Sequence, residues 1–180
     1  MTTIIIPCHT YIRKYIQAHY QQGIDLLPLR RDSFIGGFVI NLLDRSYQFR
    51  KSGLYQDQVV FYVGELIFKR YGSNMTDANV NFFNRTIDNM FRESMYRAID
   101  LAISVKVDYK DYGDVKSLKK QRKYRRKYVL VNRSPDIYQC IIDYCRMFGI
   151  TEEDIMMETL KKSYYRYRRA YDRRSKVFGS

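Results

Sequence analysis

The basic side chains of this sequence are concentrated in two short windows. Residues 116–127, KSLKKQRKYRRK, contain eight basic residues and no acidic one, and residues 161–176 contain eight basic residues and one acid, Asp172. The windows contribute charges of +8 and +7, whereas the whole chain carries +13, so the remaining residues are net negative. Lysine and arginine bind phosphate through charge-assisted hydrogen bonds. This concentration of charge therefore indicates a surface that binds a polyanion.

The second window has the periodicity of an amphipathic helix. Over residues 158–176, one stripe contains Leu160, Tyr164, Tyr167 and Tyr171, and the basic residues fall on roughly the opposite face. We predict that the tyrosine stripe packs and that the basic face contacts phosphates. The residues predicted to contact nucleic acid are Lys116, Lys119, Lys120, Arg122, Lys123, Tyr124, Arg125, Arg126, Lys127, Lys162, Arg166, Arg169, Arg173 and Arg174.

Residues 135–175 resemble a helix-turn-helix, in which the second helix enters the major groove of DNA. Thr151 is predicted to cap the second helix, with the acidic residues 152–154 in its first turn. Base contacts normally arise from that turn, and carboxylates there would repel phosphates. We therefore expect residues 166–174 to contact nucleic acid, and to contact its phosphate backbone more than its bases. An ordinary helical hairpin with a solvated basic face is the alternative.

Signals for catalysis or for a cofactor are weak. His9 and His19 are the only histidines, and neither a phosphate-binding GxxxxGK[ST] loop nor a GxGxxG dinucleotide fingerprint occurs. Asp108, Asp111 and Asp114 are spaced by three and could hold a divalent cation, but nearby lysines offer them ordinary ion pairs. We expect no enzyme, cofactor or metal site, with a metal-dependent nuclease as the minor alternative.

The composition favours a folded intracellular protein. Of 180 residues 46% are hydrophobic, and 18 are tyrosines. No apolar run approaches the roughly 20 residues of a membrane-spanning helix, and the N-terminus lacks the pattern of a signal peptide. Cys8, Cys140 and Cys145 are therefore expected to be reduced thiols that pack as small apolar groups. A cytoplasmic location without membrane contact follows as an expectation, with association with a virion left open.

The chain is expected to form a predominantly helical α+β fold, with four to six helices and a sheet of two or three strands. The predicted strands are residues 4–6 and 59–63, which pair with each other, and residues 26–29 form an extended connector. Gly36 and Gly37 are expected to permit close helix packing. Helices are predicted over residues 11–22, 34–50, 65–71, 77–103 and 135–148, the last capped by Ser134, and from residue 151 onward.

Three segments follow from this pattern. Residues 1–104 are predicted to be a mainly helical core, residues 105–133 a basic linker or arm, and residues 134–180 a C-terminal helical hairpin with a basic tail. The change at residue 105 is marked by dense charge and few large aliphatic side chains.

The leading hypothesis is a small basic protein that binds nucleic acid, with DNA as the expected ligand. Most of its contacts are expected to be with the sugar-phosphate backbone of that ligand. Its basic, tyrosine-rich character is similar to that of accessory or regulatory proteins of bacteriophages and mobile elements, although no family motif carries the likeness. The alternative is a structural or assembly protein that uses the same surfaces for protein contacts, since tyrosine and arginine are also favoured at protein interfaces. Self-association is left open in both cases.

Overall fold

The structure, a computed structural model, describes residues 2–20, 26–45, 55–104 and 136–178, with residues 104 and 174–178 described by their backbone alone. Within these ranges six helices accompany one three-stranded sheet, so the predicted α+β class with predominant helix is confirmed. The predicted basic arm, residues 105–133, lies outside the described residues.

The sheet has the strand order β1-β3-β2. Its strands are β1 (Thr2–Cys8), β2 (Leu26–Pro28) and β3 (Asp57–Val63). β1 pairs antiparallel with β3, with Ile4 opposite Phe61 and Ile6 opposite Val59. The predicted pairing of residues 4–6 with residues 59–63 is therefore confirmed.

The third strand was not predicted as one. β2 pairs in parallel with β3, so that Leu27 lies opposite Phe61. The prediction that residues 26–29 are a simple connector was wrong. The backbone of β3 supplies hydrogen-bond partners to these residues, and the local sequence pattern does not predict such partners. Leu27 is buried, so this strand also contributes to the core.

The six helices begin and end at residues that include several side-chain and glycine caps. The helices are α1 (Thr10–Tyr20), α2 (Phe34–Leu42), α3 (Glu65–Tyr71), α4 (Asp77–Ser104), α5 (Ile137–Met147) and α6 (Met157–Phe178). Ser33 caps α2, since the Gly36 amide donates to its hydroxyl oxygen over 3.0 Å. Thr76 caps α4 in the same way through the Asn79 amide, over 3.1 Å. Gly72 follows α3 with φ of 81°, a conformation that favours glycine.

Helix α2 is shorter than predicted. It ends at Leu42, not near residue 50, because the backbone of Leu43 turns to an extended conformation. The next residue, Asp44, donates its amide to the carbonyl of Asn74 over 2.8 Å. A long-range backbone bridge thus replaces the next turn of helix.

Gly36 allows a close backbone approach, although not the helix–helix contact that was predicted. A Cβ atom at this position would lie 1.9 Å from the carbonyl oxygen of Arg30. The glycine therefore lets α2 start directly against the turn that precedes it. Replacement by any larger residue would force that turn apart.

The last helix begins later than predicted, at Met157. Thr151 does not cap it, because Thr151 and Asp154 close a separate turn: the Thr151 amide donates to the Asp154 carboxylate over 2.8 Å, and the Asp154 amide to the Thr151 carbonyl over 3.1 Å. The acidic residues 152–154 thus precede α6 and do not form its first turn. Residues 148–156, nine in all, separate α5 from α6, whereas a helix-turn-helix usually has a turn of about three or four residues.

The described residues cluster into two compact units. The first unit contains Met1–Glu93 and Cys145–Met156, and the second contains Ser94–Tyr144 and Met157–Ser180. Helix α4 contributes to both units, as does α5. The candidate site on α6 belongs to the second unit.

The core of the first unit forms where α1 and α4 bury their apolar faces. Tyr11 and Tyr15 of α1 contact Phe91 of α4, with ring centroids 5.7 and 5.4 Å apart. Tyr15 also contacts Phe148, which follows α5, at 5.2 Å. Phe61 of the central strand is fully buried. Aromatic side chains therefore supply much of the packing that holds this unit together.

The three cysteines have free thiols, and two are buried in the first unit. Burial raises the pKa of Cys8 to about 12, with the negative charge of Asp57 as a further cause. Burial also raises the pKa of Cys145 to about 11. A raised pKa disfavours the thiolate, which is the reactive form. Both thiols therefore act as packing groups, as predicted.

An ion pair fixes the turn that precedes α6 to α1. Lys14 Nζ lies 2.6 Å from the Asp154 carboxylate, whose side chain is 8% exposed. Partial burial opposes ionisation of Asp154, but the hydrogen bonds from Lys14 and from the Thr151 amide outweigh it and lower the pKa. The contribution of this carboxylate to stability is therefore complete above its ordinary pKa of 3.8 and is lost as the pH falls below that value.

We expect Asp154→Asn to lower the free energy of unfolding by about 1–2 kcal/mol at pH 7, because it removes a charge-assisted hydrogen bond. Urea unfolding at pH 7 and pH 3 measures the effect, which should shrink at pH 3. Glu153→Gln is the matched control, since Glu153 is an exposed neighbour in the same turn. Equal losses in both variants would contradict this account.

Candidate nucleic-acid interface

Helix α6 is fixed to the second unit by the face that carries the predicted tyrosine stripe. Met157, Leu160 and Tyr164 are buried, at the spacing of three and four residues that places side chains on one side of a helix. Tyr171, at the end of the same stripe, is 58% exposed. The predicted packing role is thus confirmed for the first two turns, and the stripe emerges into solvent further along.

A carboxylate on α4 organises the middle of α6. The Tyr164 hydroxyl donates to Asp100 Oδ1 over 2.7 Å, and the Arg168 guanidinium donates to the same oxygen over 3.1 Å. Burial, followed by the nearby carboxylate, raises the pKa of Tyr164. Burial opposes the charge of Arg168, but Asp100 outweighs it and raises the pKa of that guanidinium. Tyr164 and Arg168 are therefore held in defined positions.

A tyrosine of α4 adds to this anchorage. The ring of Tyr96 stacks on that of Tyr167, with centroids 4.6 Å apart and planes 21° apart. Its hydroxyl donates to Ser163 over 2.8 Å, and Ser163 in turn donates to the carbonyl of Leu160 over 2.8 Å. These contacts fix the rotation of α6 about its axis, and hence which of its residues face solvent.

The residues that face solvent include four of the predicted phosphate contacts. Lys162, Arg166, Arg169 and Arg173 are exposed and are spaced by four, three and four residues, so they form one stripe, which we call the basic face. With a rise of about 1.5 Å per residue, the stripe is about 16 Å long. Within the described part of the chain, none of the four has a hydrogen-bond or ion-pair partner. Their charges are thus available to a ligand.

Two other basic residues of α6, which were not among the predicted contacts, are engaged within the fold. Arg168 is bound to Asp100, and Lys161 lies 3.4 Å from Glu158 and 5.2 Å from the centre of the Tyr138 ring. The i,i+3 spacing of Glu158 and Lys161 could have indicated that pair. The role of Arg168 has no local signal, because its partner lies 68 residues earlier.

One exposed aromatic residue next to the basic face was not predicted as a site residue. Tyr165 is 43% exposed. It follows Lys162 by three residues and precedes Arg169 by four, so the three side chains are neighbours on the helix surface. Its spacing from these cations was visible in the sequence.

The remaining predicted contacts are not placed. Lys116, Lys119, Lys120, Arg122, Lys123, Tyr124, Arg125, Arg126 and Lys127 lie outside the described residues, as do Asp108, Asp111 and Asp114. Arg174 continues the backbone of α6, but its side chain is not described. The structure therefore brings together four of the predicted residues, all on α6.

Two kinds of site are absent from the described ranges. Among residues 2–20, 26–45, 55–104 and 136–178, no group of three or more histidine, cysteine, aspartate or glutamate side chains could hold a metal ion. Over the same residues, no helix has both the length and the apolar character needed to cross a membrane.

No family model, curated protein or solved structure shows significant similarity to this chain.

Proposed function

We propose that this protein binds DNA through phosphate contacts made by the basic face of α6. The observation that carries the proposal is that some cationic side chains of this helix are paired and others are not. Arg168 and Lys161 are paired, whereas the four residues of the basic face are exposed and have no partner within the described ranges.

The chemistry of the basic face fits a phosphate backbone. Arginine supplies three of its four cations, and its planar fork binds phosphate oxygens in pairs. The side chains follow one line along the helix, as the successive phosphates of a strand do. The acidic residues 152–154 precede α6, and the acid in its first turn, Glu158, lies 3.4 Å from Lys161. Residues 116–127 are proposed as a second contact, on the basis of their charge alone.

The test is a salt titration of the full chain with fluorescently labelled DNA of mixed sequence, measured by anisotropy. Each phosphate contact contributes about 0.7 to the slope of log affinity against log salt on single strands and about 0.9 on duplex, so four contacts predict a slope of about −3 or steeper. Measurements between about 50 and 200 mM salt cover the useful range. A lack of binding at the lowest salt, or an affinity independent of salt, would overturn the proposal.

The assembly-protein alternative makes a different prediction in the same experiment. An acidic protein partner would use the same cations but would not require a phosphate backbone. If DNA is not retained while an acidic polypeptide such as polyglutamate binds with a steep salt dependence, the alternative replaces the proposal.

A further inference from the structure

Tyr165 combines exposure with a position that packing does not explain. The described structure gives it one ring contact, with Tyr164 at a centroid distance of 6.1 Å and an angle of 53°, and no hydrogen bond to its hydroxyl. Tyrosines that serve the fold of this unit behave differently: Tyr96 and Tyr164 are both buried and hydrogen-bonded. Tyr165 thus presents much of its ring to solvent.

The cations around Tyr165 define what its ring can meet. Lys162 lies one turn before it and Arg169 one turn after it, and on a helix such neighbours have Cβ atoms about 5–6 Å apart. Arg166 is adjacent in the chain. A strand whose phosphates lie on Lys162 and Arg169 therefore passes directly beside the ring of Tyr165.

The state of the bases decides whether that ring contributes. In a duplex the bases are paired and stacked inside, and a base reaches a protein ring only after it is unstacked. In a single strand the bases are accessible, and proteins that bind single strands combine a basic track for the backbone with aromatic side chains for the bases. The basic face with Tyr165 beside it has both parts.

We infer that the basic face of α6 binds single-stranded nucleic acid and that Tyr165 stacks on one of its unpaired bases. This inference rests on the proposed function, because it assigns the strand state of the ligand at the same site. The cations supply affinity that is independent of sequence, and the ring discriminates strands with accessible bases from duplex. Stacking on any base is feasible, so little sequence preference is expected.

The chain offers a matched control for this residue. Tyr171 lies on the same helix and is exposed to a greater extent, 58% against 43%. It lies six residues after Tyr165, in the stripe on the side of the helix opposite the basic face. Tyr165→Ala and Tyr171→Ala therefore remove the same side chain from the two sides of one helix.

The experiment compares three ligands by anisotropy at one salt concentration: a thymidine oligonucleotide, an abasic strand of the same length, and a duplex of that length. The wild-type chain should bind the thymidine strand about tenfold more tightly than the abasic strand, as expected for one stacked base. Tyr165→Ala and Tyr165→Leu should lose that difference, whereas Tyr165→Phe and Tyr171→Ala should keep it. Tyr165→Leu keeps an apolar side chain at this exposed position, and circular dichroism of each variant checks that the fold is retained.

The outcomes separate this inference from the proposal on which it rests. Equal wild-type affinity for thymidine and abasic strands overturns stacking by Tyr165 and leaves phosphate binding intact. A tighter complex with duplex than with the thymidine strand overturns the assigned strand state. Failure to bind any of the three ligands overturns the proposed function itself.

Discussion

Replacing all four cations of the basic face with glutamine should weaken the binding of single-stranded DNA by two to three orders of magnitude at about 100 mM salt. The variant carries Lys162→Gln, Arg166→Gln, Arg169→Gln and Arg173→Gln. Each cation is expected to contribute about 0.7 to the salt slope, so the slope should become shallower by about 3. Anisotropy titrations at several salt concentrations measure both quantities.

The fold should survive this change. The four side chains are exposed, and glutamine has a helix propensity close to those of lysine and arginine. Exposed substitutions usually alter stability by no more than about 0.5 kcal/mol each. Circular dichroism and urea unfolding of the variant should therefore resemble those of the wild type, so that a loss of binding can be assigned to the surface.

A second variant with the same change in net charge tests the location of the site. Arg31, Arg45, Arg70 and Arg85 are exposed arginines of the first unit, and their replacement by glutamine also removes four positive charges. We expect this control to change affinity by less than tenfold and to leave the salt slope nearly unchanged. An equal loss in both variants would show that net charge, and not the basic face, governs binding.

The basic face could be predicted from the sequence because it depends on local periodicity alone. Once α6 is a helix, a spacing of four, three and four residues places its cations on one side, whatever the rest of the chain does. The burial of Leu160 and Tyr164 follows from the same rule. The sequence of about four helical turns was thus sufficient to predict which residues form the basic face.

The start of α6 could not be predicted in this way. Residues 151–154 have the sequence of a helix N-terminus, with Thr151 in the position of a cap. In the structure Asp154 is instead held by Lys14, 140 residues earlier, and the helix begins only at Met157. Similarly, β2 exists because β3 lies beside it. Long-range partners decide both features, and local patterns do not contain them.

The partner of Arg168 likewise depends on a long-range contact. Arg168 and Arg169 are adjacent and identical in type, yet one is anchored by Asp100 and the other is exposed. The contacts of Tyr96 and Tyr164 hold α6 in the rotation that places Arg168 against Asp100 and leaves Arg169 in solvent. Helical periodicity left Arg168 out of the predicted contacts, but its partner Asp100 could not be predicted from the local sequence.

The largest expected effect on stability concerns Asn84, a polar residue of α4 that is 5% exposed. Its side-chain amide nitrogen donates to the carbonyls of Pro7 and Val80, each over 2.9 Å. Pro7 belongs to β1, so this side chain joins the sheet to α4 across 77 residues of sequence. Two acceptors at one nitrogen mean that only a donor group is tolerated here.

Asn84→Asp keeps the shape of the side chain but replaces that donor with a carboxylate. At neutral pH a buried negative charge would then face two carbonyl oxygens. We expect the free energy of unfolding to fall by about 3 kcal/mol or more at pH 7. This is a large part of the roughly 5–15 kcal/mol that stabilises a typical domain.

The pH dependence of this loss identifies its cause. Burial favours the neutral acid, which can donate one hydrogen bond, so the destabilisation should be small below the unfolded carboxyl pKa of about 3.9 and should grow as the pH rises above it. Urea unfolding of Asn84→Asp between acid and neutral pH measures this trend against Asn89→Asp, an exposed position on the same helix where the change should stay within about 0.5 kcal/mol. A loss at Asn84 that does not vary with pH would mean that altered packing, and not the buried charge, destabilises the protein.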